Sequence, residues 1–374
     1  MSDPEIKGWC PGAYRPMMSG DGLVVRIRPR LARLSAEQAL GLCDLAQRFG
    51  SGFIDLTNRA NLQIRGVAED AHEPLLQALN ALDLLDADPA LESRRNILMT
   101  PLWQRGDKSA RLARAILNSL SNLPDMPAKV GFAVDTGPAP VLVEDSADFR
   151  FERSADGIIL RADGCARGRP MTEDTAMDAL LELAEWFDTH RSETRRRMTS
   201  VLARHDLPEE WASTAPRPRG PRPGPGDTAL GPMLGAPFGQ IDAAALHSLL
   251  QETEAPALRV TPWRLFLLEG ISMPQSDFIT APDDPLLTTD ACPGAPFCPQ
   301  ASVETRALAR ELAPRINGSL HVSGCAKSCA RRSPADMTLT GRDGAFDLVK
   351  NGHPWDAPTL TGLTPDTILA GADL

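Results

Sequence analysis

The 374-residue sequence predicts an α+β fold made of two copies, each with a ferredoxin-like half-domain followed by an α/β domain that binds a cofactor. Two observations predict this fold. The same order of helix and hairpin occurs twice along the chain, and a segment rich in proline, glycine and arginine separates the two occurrences. We expect a pseudo-two-fold axis to relate the copies. Because only the second copy carries paired cysteines, we expect one cofactor site.

The first copy begins with a strand, a helix and a hairpin. Apolar and polar side chains alternate over residues 22–28, as they do in a half-buried strand. Ser35, with Gln38 three residues later, is the signature of a capped helix start. The other predicted elements of this copy are the rest of that helix to about residue 48, strands at 53–57 and 61–65, a strand at 96–99, a helix at 109–120 and a strand at 129–135.

The second copy repeats this order after the linker. Placing Thr57 on Thr261 also places Gly66 on Gly270 without a gap, which aligns the two hairpins. The predicted elements are a helix capped by Asp242 and ending near residue 252, strands at 257–261 and 264–270, a helix at 303–312 and a strand at 319–323.

These elements divide the chain into five segments. The expected boundaries are a first ferredoxin-like half-domain at 1–80, a first α/β domain without a cluster at 81–213, a stiff extended linker at 214–228, a second half-domain at 229–282 and a second α/β domain with the cluster at 283–374.

Composition narrows the class of protein. The net charge of −10 argues against nucleic acid or an anionic membrane as a partner. The first residues lack an apolar signal segment, and no apolar run approaches the ~20 residues that span a bilayer, so we expect a cytoplasmic protein. Residues 15–65 nevertheless contain eight arginines, no lysine and four acidic residues. This excess fits either a solvated face or bidentate recognition of carboxylates or phosphates.

Four cysteines carry the strongest chemical signal. They form a C-x5-C pair and a C-x3-C pair, and two tight loops of this kind supply one thiolate to each iron of a cubane cluster. A structural zinc site and two disulfides are the alternatives. Paired zinc cysteines are usually two to four residues apart, and disulfides need an oxidising compartment. The predicted ligands of a [4Fe-4S] cluster are Cys292, Cys298, Cys325 and Cys329.

Several motifs resemble those of the sulfite and nitrite reductase superfamily. Residues 55–66 look like its Thr-x-Arg-x-x-x-Gln-x-x-Gly hairpin, residues 95–98 look like its Arg-Asn-Val segment, and the cysteine pairs look like its cluster motif. Within the superfamily, the likeness is closest to the precorrin-3B synthase family. The segments that carry this likeness are residues 9–16, 20–23, 58–63, 291–296 and 321–327.

One departure separates the chain from the reductases of that superfamily. Those enzymes carry two lysines, one residue apart, which protonate and hold the anion on sirohaem. Here Lys129 matches the first lysine and is the predicted catalytic residue, whereas Gly131 stands at the second position. A reductase that delivers several protons needs that donor, so the resemblance favours the synthase.

The resemblance to the synthase family implies an O2- and NADH-dependent monooxygenase of cobalamin biosynthesis. It would hydroxylate the tetrapyrrole precorrin-3A at the meso carbon between rings A and D and close a γ-lactone on the ring A acetate. The family holds a [4Fe-4S] cluster and also uses a mononuclear non-haem iron, and no sirohaem is expected. Because no G-x-G-x-x-G follows a predicted strand, NADH is expected to act through a separate reductase or an unseen site.

The resemblance also assigns the substrate-binding residues. The rim of carboxylates on the substrate would be bound by arginines on the matching motifs, with two neutral donors beside them. These residues are Arg26, Arg28, Arg59, Asn61, Gln63, Arg65 and Arg95. A sirohaem-dependent sulfite or nitrite reductase is the alternative enzyme, and an iron–sulfur electron-transfer protein is the alternative of another class.

Overall fold

The computed structural model describes residues 11–371, so Trp9 and Cys10 of the first motif lie outside the described residues. The first copy contains these elements: β1 Met17–Ser19, β2 Gly22–Ile27, β3 Arg33–Ser35, α1 Ala36–Phe49, β4 Phe53–Leu56, β5 Leu62–Val67, α2 His72–Ala81, α3 Pro89–Arg94, β6 Ile97–Met99, α4 Lys108–Ser119, β7 Phe132–Asp135, β8 Phe149–Arg153, β9 Ile158–Ala162, β10 Arg169–Met171, α5 Ala176–His190 and α6 Met198–Leu202.

The second copy follows the linker. Its elements are β11 Gly226–Thr228, β12 Gly231–Gly235, β13 Gln240–Asp242, α7 Ala243–Thr253, β14 Ala257–Val260, β15 Leu265–Leu268, β16 Thr289–Ala291, α8 Arg306–Leu312, β17 Leu320–Ser323, β18 Ala335–Arg342, β19 Ala345–Gly352, β20 Leu360–Leu363 and α9 Pro365–Leu369.

The two ferredoxin-like half-domains exchange one strand. Their sheets have the orders β1-β2-β5-β4-β13 and β11-β12-β15-β14-β3, so the short strand before each long helix pairs with the other copy. Ile241 pairs with Ile54, and Leu258 pairs with Leu34. Helices α1 and α7 pack against each other, and buried residues of both copies form one core. The half-domains are therefore a single packed body.

Backbone conformation confirms the duplication. Gly66 and Gly270, which the sequence alignment superposes, both have φ of +72°. Ala60 and Arg264, at matching hairpin positions, have φ of +51° and +62°. Non-glycine residues adopt such angles at a cost of about 1–3 kcal/mol, so their recurrence at the same position indicates one conserved hairpin geometry.

Each copy continues into an α/β domain with its own sheet. The orders β6-β7-β8-β9-β10 and β16-β17-β18-β19-β20 match strand for strand, with the first three strands parallel and the last two antiparallel additions. Helices α4 and α8 connect the first two parallel strands in each sheet. Each copy thus has the expected ferredoxin-like half-domain followed by an α/β domain.

Two predicted elements begin three residues later in the structure. Strand β7 begins at Phe132 because Asn96 and Asp148 bind the backbone of residues 128–131 in a loop. Helix α8 begins at Arg306, since the Thr305 hydroxyl bonds the Cys292 carbonyl and holds the preceding turn out of helix.

The linker contacts the first copy over residues 214–222, whereas residues 226–228 form β11 in the sheet of the second copy. The amide of Arg217 donates to the Arg153 carbonyl at 2.7 Å, and the amide of Gly220 donates to the Pro140 carbonyl at 2.7 Å. Within residues 11–371, no helix has the length and apolar character that crossing a membrane requires.

Candidate active site

A cavity of about 700 Å³ lies where the half-domains, the linker and the second α/β domain meet. This volume is within the range of about 300–1,000 Å³ that is typical of small-molecule sites. Five arginines and three aspartates line it, so its charge favours an anionic ligand. The arginines are Arg26, Arg65, Arg222, Arg264 and Arg306. Cys292 and Cys329 are also in its wall.

Burial disfavours the charged form of two of these arginines. It lowers the pKa of Arg264 to about 10, and the neighbouring Arg331 and Arg306 lower it further, although Arg264 forms an ion pair with Asp290. Burial also lowers the pKa of Arg306, whose Nε has no hydrogen-bond partner among the described residues. Bound carboxylates would supply the missing negative charge.

Two loops bring the four predicted cluster cysteines together. Gly294, with φ of +70°, leaves no room for a Cβ, which would lie 2.7 Å from the Thr305 hydroxyl. A Cβ on Gly324 would lie 2.6 Å from the Cβ of Ala301. Both glycines therefore allow the cysteine loops to approach closely. The Gly324 amide donates to the sulfur of Cys292 at 3.1 Å.

The four thiols lie close enough to influence one another's ionisation. Burial raises the pKa of the Cys325 thiol; the Lys327 amide opposes this shift, and the Cys292 and Cys298 thiols add to it. The other three thiols also lie within electrostatic reach of Cys329. Thiols with raised pKa need a bound cation to ionise. A [4Fe-4S] cluster takes one thiolate on each of its four irons.

Three of the predicted substrate-binding residues line the cavity. Arg26 and Gln63 face each other, and with the Gln63 amide oxygen turned toward Arg26 it accepts from Nε at 3.1 Å and from Nη2 at 2.8 Å. Arg65 binds Asp21 at 3.1 and 3.2 Å and also donates to the Phe297 carbonyl of the cysteine loop at 3.4 Å. Arg65 therefore ties the first hairpin to the second copy.

Arg28 and Arg95 are not brought to the cavity. Arg28 is 5% exposed and forms an ion pair with Glu92. Arg95 is 7% exposed, donates to Asp86 at 2.9 Å and donates to the Arg28 carbonyl at 2.7 Å. These contacts fasten the segment after α2 to the first half-domain, which is a structural role.

Arg59, Asn61 and Lys129 also lie outside the residues that line the cavity. Arg59 donates to the Lys129 carbonyl at 3.0 Å, and Lys129 is exposed at a separate cleft of about 510 Å³. Asn61 is buried, and its backbone amide donates to the Thr57 hydroxyl at 3.1 Å within the hairpin turn. The hydrogen bond from Arg59 thus links the predicted catalytic lysine to the first hairpin.

Three of the five arginines that line the cavity were not predicted from the sequence. Arg264 occupies the hairpin position of Ala60 in the aligned copies, so the alignment contained a signal for it. Arg306 begins α8 behind the cluster loop. Arg222 belongs to the linker, which forms a wall of the cavity together with residues 223–225. Composition gave no sign that the linker reaches a binding site.

His321 is the histidine nearest in sequence to the second cysteine pair. It is 1% exposed, and neither ring nitrogen has a hydrogen-bond partner among the described residues. Burial lowers its pKa to about 4, and Arg331, Arg264 and His353 lower it further. His321 is therefore neutral at physiological pH. Since no three-ligand group occurs within residues 11–371, no ligand set for a mononuclear iron is assigned.

Comparison with known proteins gives consistent results. Residues 15–82 match the family model described as the nitrite/sulfite reductase ferredoxin-like half domain. The ferredoxin–nitrite reductase of Synechococcus elongatus is 24% identical over 89% of this chain and 78% of its own length. The structure of the NirA protein of Mycobacterium tuberculosis has a TM-score of 0.63 and 18% identity, covering 93% of this chain and 79% of that one. At 18% identity, the similarity to NirA concerns the fold alone.

A more similar relative is a precorrin-3B synthase from Sinorhizobium sp. It is 30% identical over 397 aligned residues, which cover 92% of this chain and 83% of the relative. The alignment therefore includes both copies, the linker and the cysteine loops. Together with the shared fold and the cavity beside the cysteines, this identity shows that the chain belongs to the precorrin-3B synthase family of oxidoreductase-related enzymes.

Proposed function

We propose that the protein is an O2- and NADH-dependent monooxygenase that converts precorrin-3A to precorrin-3B in cobalamin biosynthesis. It would hydroxylate the meso carbon between rings A and D, with γ-lactone formation on the ring A acetate. The observation that carries the proposal is the 30% identity to a precorrin-3B synthase over 92% of the chain. The cavity supports it, because a flat polycarboxylate needs a large basic site.

The chain's own contribution is to bind and orient the substrate. Arginines from five different segments face the cavity, so carboxylates around the macrocycle rim could be bound from several directions at once. Arg26 comes from β2 and Arg264 from the second hairpin, while Arg222 comes from the linker. Contacts at several points hold the reacting carbon in one place, which lowers the entropic cost of the reaction.

The cysteine loops fit a [4Fe-4S] cluster, and such a cluster supplies single electrons when bound. Cys292 and Cys329 lie in the cavity wall, so the cluster would be adjacent to the substrate. We propose that NADH supplies the electrons through a separate reductase.

We also propose that the cavity takes substrate rather than sirohaem. A Cβ at Gly131 would lie 3.0 Å from the Asn96 carbonyl, and the Gly131 amide donates to Asp148 at 3.0 Å. This close packing leaves little room for a side chain at residue 131, where the reductases carry their second lysine.

Single-turnover chemistry tests the proposal. The holoprotein, reduced and incubated anaerobically with precorrin-3A, is expected to form a hydroxylated lactone after a pulse of O2, as detected by mass spectrometry. The same preparation is expected to reduce sulfite and nitrite negligibly with a strong artificial donor. Absence of oxygenated product combined with rapid nitrite or sulfite reduction would favour the sirohaem-dependent alternative. Electron transfer without either reaction would favour the electron-transfer protein.

The role of the linker in binding gives a separate prediction. Arg222→Ala is expected to weaken binding of precorrin-3A by about ten-fold, the effect of losing one charge-assisted hydrogen bond. Arg219 is the matched control, because it lies on the same linker, pairs with the same Glu144 and does not line the cavity. Arg219→Ala should leave binding unchanged. Equal losses for the two variants in a fluorescence titration would indicate long-range charge instead of a contact.

A further inference from the structure

We propose that Asp55 is the proton donor of this site, a carboxylic acid that faces the substrate and delivers a proton to the reacting oxygen. This inference rests on the proposed function. Asp55 lies on β4, lines the cavity and is 8% exposed. Its Oδ1 is buried and has no hydrogen-bond partner among the described residues. An ionised carboxylate in that position would lack most of its solvation.

The cations nearest to Asp55 are too distant to bind it closely. Arg306 Nη2 is 3.7 Å from Oδ1, and Arg65 Nε is 3.9 Å from Oδ2. Arg65 is held instead by Asp21, whose own negative charge opposes ionisation of Asp55. Burial is the largest influence and raises the pKa of Asp55, whereas Arg306 and Arg65 oppose the rise. The Asp55 carboxyl is thus held closer to its neutral form than a solvated aspartate is.

Substrate binding is expected to raise the pKa of Asp55 further. Carboxylates of the substrate that bind Arg306 or Arg65 would neutralise the two cations that favour ionised Asp55. They would also exclude water from the cavity, which raises the cost of the carboxylate further. Asp55 therefore takes up a proton, or keeps the one it has, when the substrate binds.

The proposed reaction requires protons as well as electrons. In outline, RH + O2 + 2e⁻ + 2H⁺ gives ROH + H2O, with both electrons drawn from reduced nicotinamide. The O–O bond and the substrate C–H bond break, the C–O bond and the O–H bond of the new hydroxyl form, and the second oxygen takes up the two protons and leaves as water. Asp55 gives one of the two protons to that departing oxygen and becomes a carboxylate. Solvent entering as product leaves the cavity restores the proton.

Thermal stability tests the protonation state without any turnover. A group whose pKa is raised on folding makes its stabilising contribution at low pH and loses it as the pH rises through the folded-state pKa. Asparagine does not titrate, so Asp55→Asn holoprotein is expected to melt at a higher temperature than wild type at neutral pH. The difference should shrink as the pH falls toward the ordinary aspartate value of 3.8.

A second buried aspartate provides the matched control. Asp148 is fully buried and accepts hydrogen bonds from Arg197 and from the amides of Gly131 and Met198. It functions as a bound carboxylate, so Asp148→Asn should lower the melting temperature. If Asp55→Asn also lowered it, increasingly so at higher pH, Asp55 would be an ionised partner of Arg306 and the proposal would be wrong.

Kinetics and calorimetry test the proton transfer. Asp55→Asn should bind precorrin-3A with near-normal affinity but hydroxylate it about 10²–10⁴-fold more slowly, the usual range for loss of a general acid. At a pH high enough to ionise Asp55 in the free protein, calorimetry in buffers of different ionisation enthalpy should show less proton uptake on substrate binding in Asp55→Asn than in the wild type. Asp55→Glu should restore part of the rate. An unchanged rate in Asp55→Asn overturns the proposal. Failure of wild type to hydroxylate contradicts the proposed function instead, and the melting experiment still decides the state of Asp55.

Discussion

Replacing Cys329 with serine is expected to abolish the iron–sulfur cluster. A cubane needs four thiolates, and the serine hydroxyl is a much poorer ligand for iron. Cys329 is the most exposed of the four cysteines, so its substitution should leave the fold intact. Anaerobically purified variant protein should lack the broad visible absorption, the iron and the acid-labile sulfide of the wild type.

Cys165 is the control for this experiment. It is a half-buried thiol in the first α/β domain, and its contact with Arg161 uses the backbone carbonyl, which serine retains. Cys165→Ser should therefore keep the full iron and sulfide content. Stoichiometric zinc without sulfide in the wild-type protein would contradict the cluster and support the structural zinc alternative.

Alanine at Arg95 is expected to destabilise the protein by about 3–5 kcal/mol, the cost of breaking a buried ion pair. Its side chain is 7% exposed, and that of its partner Asp86 is 13% exposed. Removal of the guanidinium leaves the Asp86 carboxylate and the Arg28 carbonyl without their donor. Chemical denaturation should show the loss, whereas substrate affinity of the folded variant should change little.

Arg30 provides an exposed pair for comparison. It binds Asp83 at 2.7 Å, with side-chain exposures of 46% and 73%. Exposed pairs contribute at most about 1 kcal/mol, so Arg30→Ala should unfold almost as the wild type does. If Arg95→Ala instead kept its stability and lost substrate affinity, Arg95 would be a substrate ligand, as the motif resemblance implies.

Local signals explain why the duplicated fold could be predicted. Ser35 and Gln38 form the expected capping box at the start of α1, and Asp242 caps α7. The glycine that ends each hairpin adopts the same positive φ. These features depend on neighbouring residues, so the sequence pattern contains them.

The exchange of strands between the two half-domains has no such local sequence pattern, so it could not be predicted. Strands β3 and β13 have three residues each, too few for a period to be visible, and their partners are in the other copy.

The sequence also could not distinguish the arginines that line the cavity from those with a structural role. Arg26 and Arg28 should share a face of a continuous strand, but β2 ends at Ile27, and Arg28 turns toward Glu92. Only the three-dimensional structure distinguishes the cavity arginine from the structural one.

The reciprocal strand exchange has a consequence for synthesis of the chain on the ribosome. When the first copy emerges, β4 has an open edge, and it stays open until β13 has been made and has passed the linker. Strand β3 likewise waits for β14. Unpaired edges are sites of aggregation, and pairing between distant segments slows folding. The nascent first copy is therefore prone to aggregation until the second copy has been made, and a chain truncated before residue 240 lacks a strand of its own first sheet.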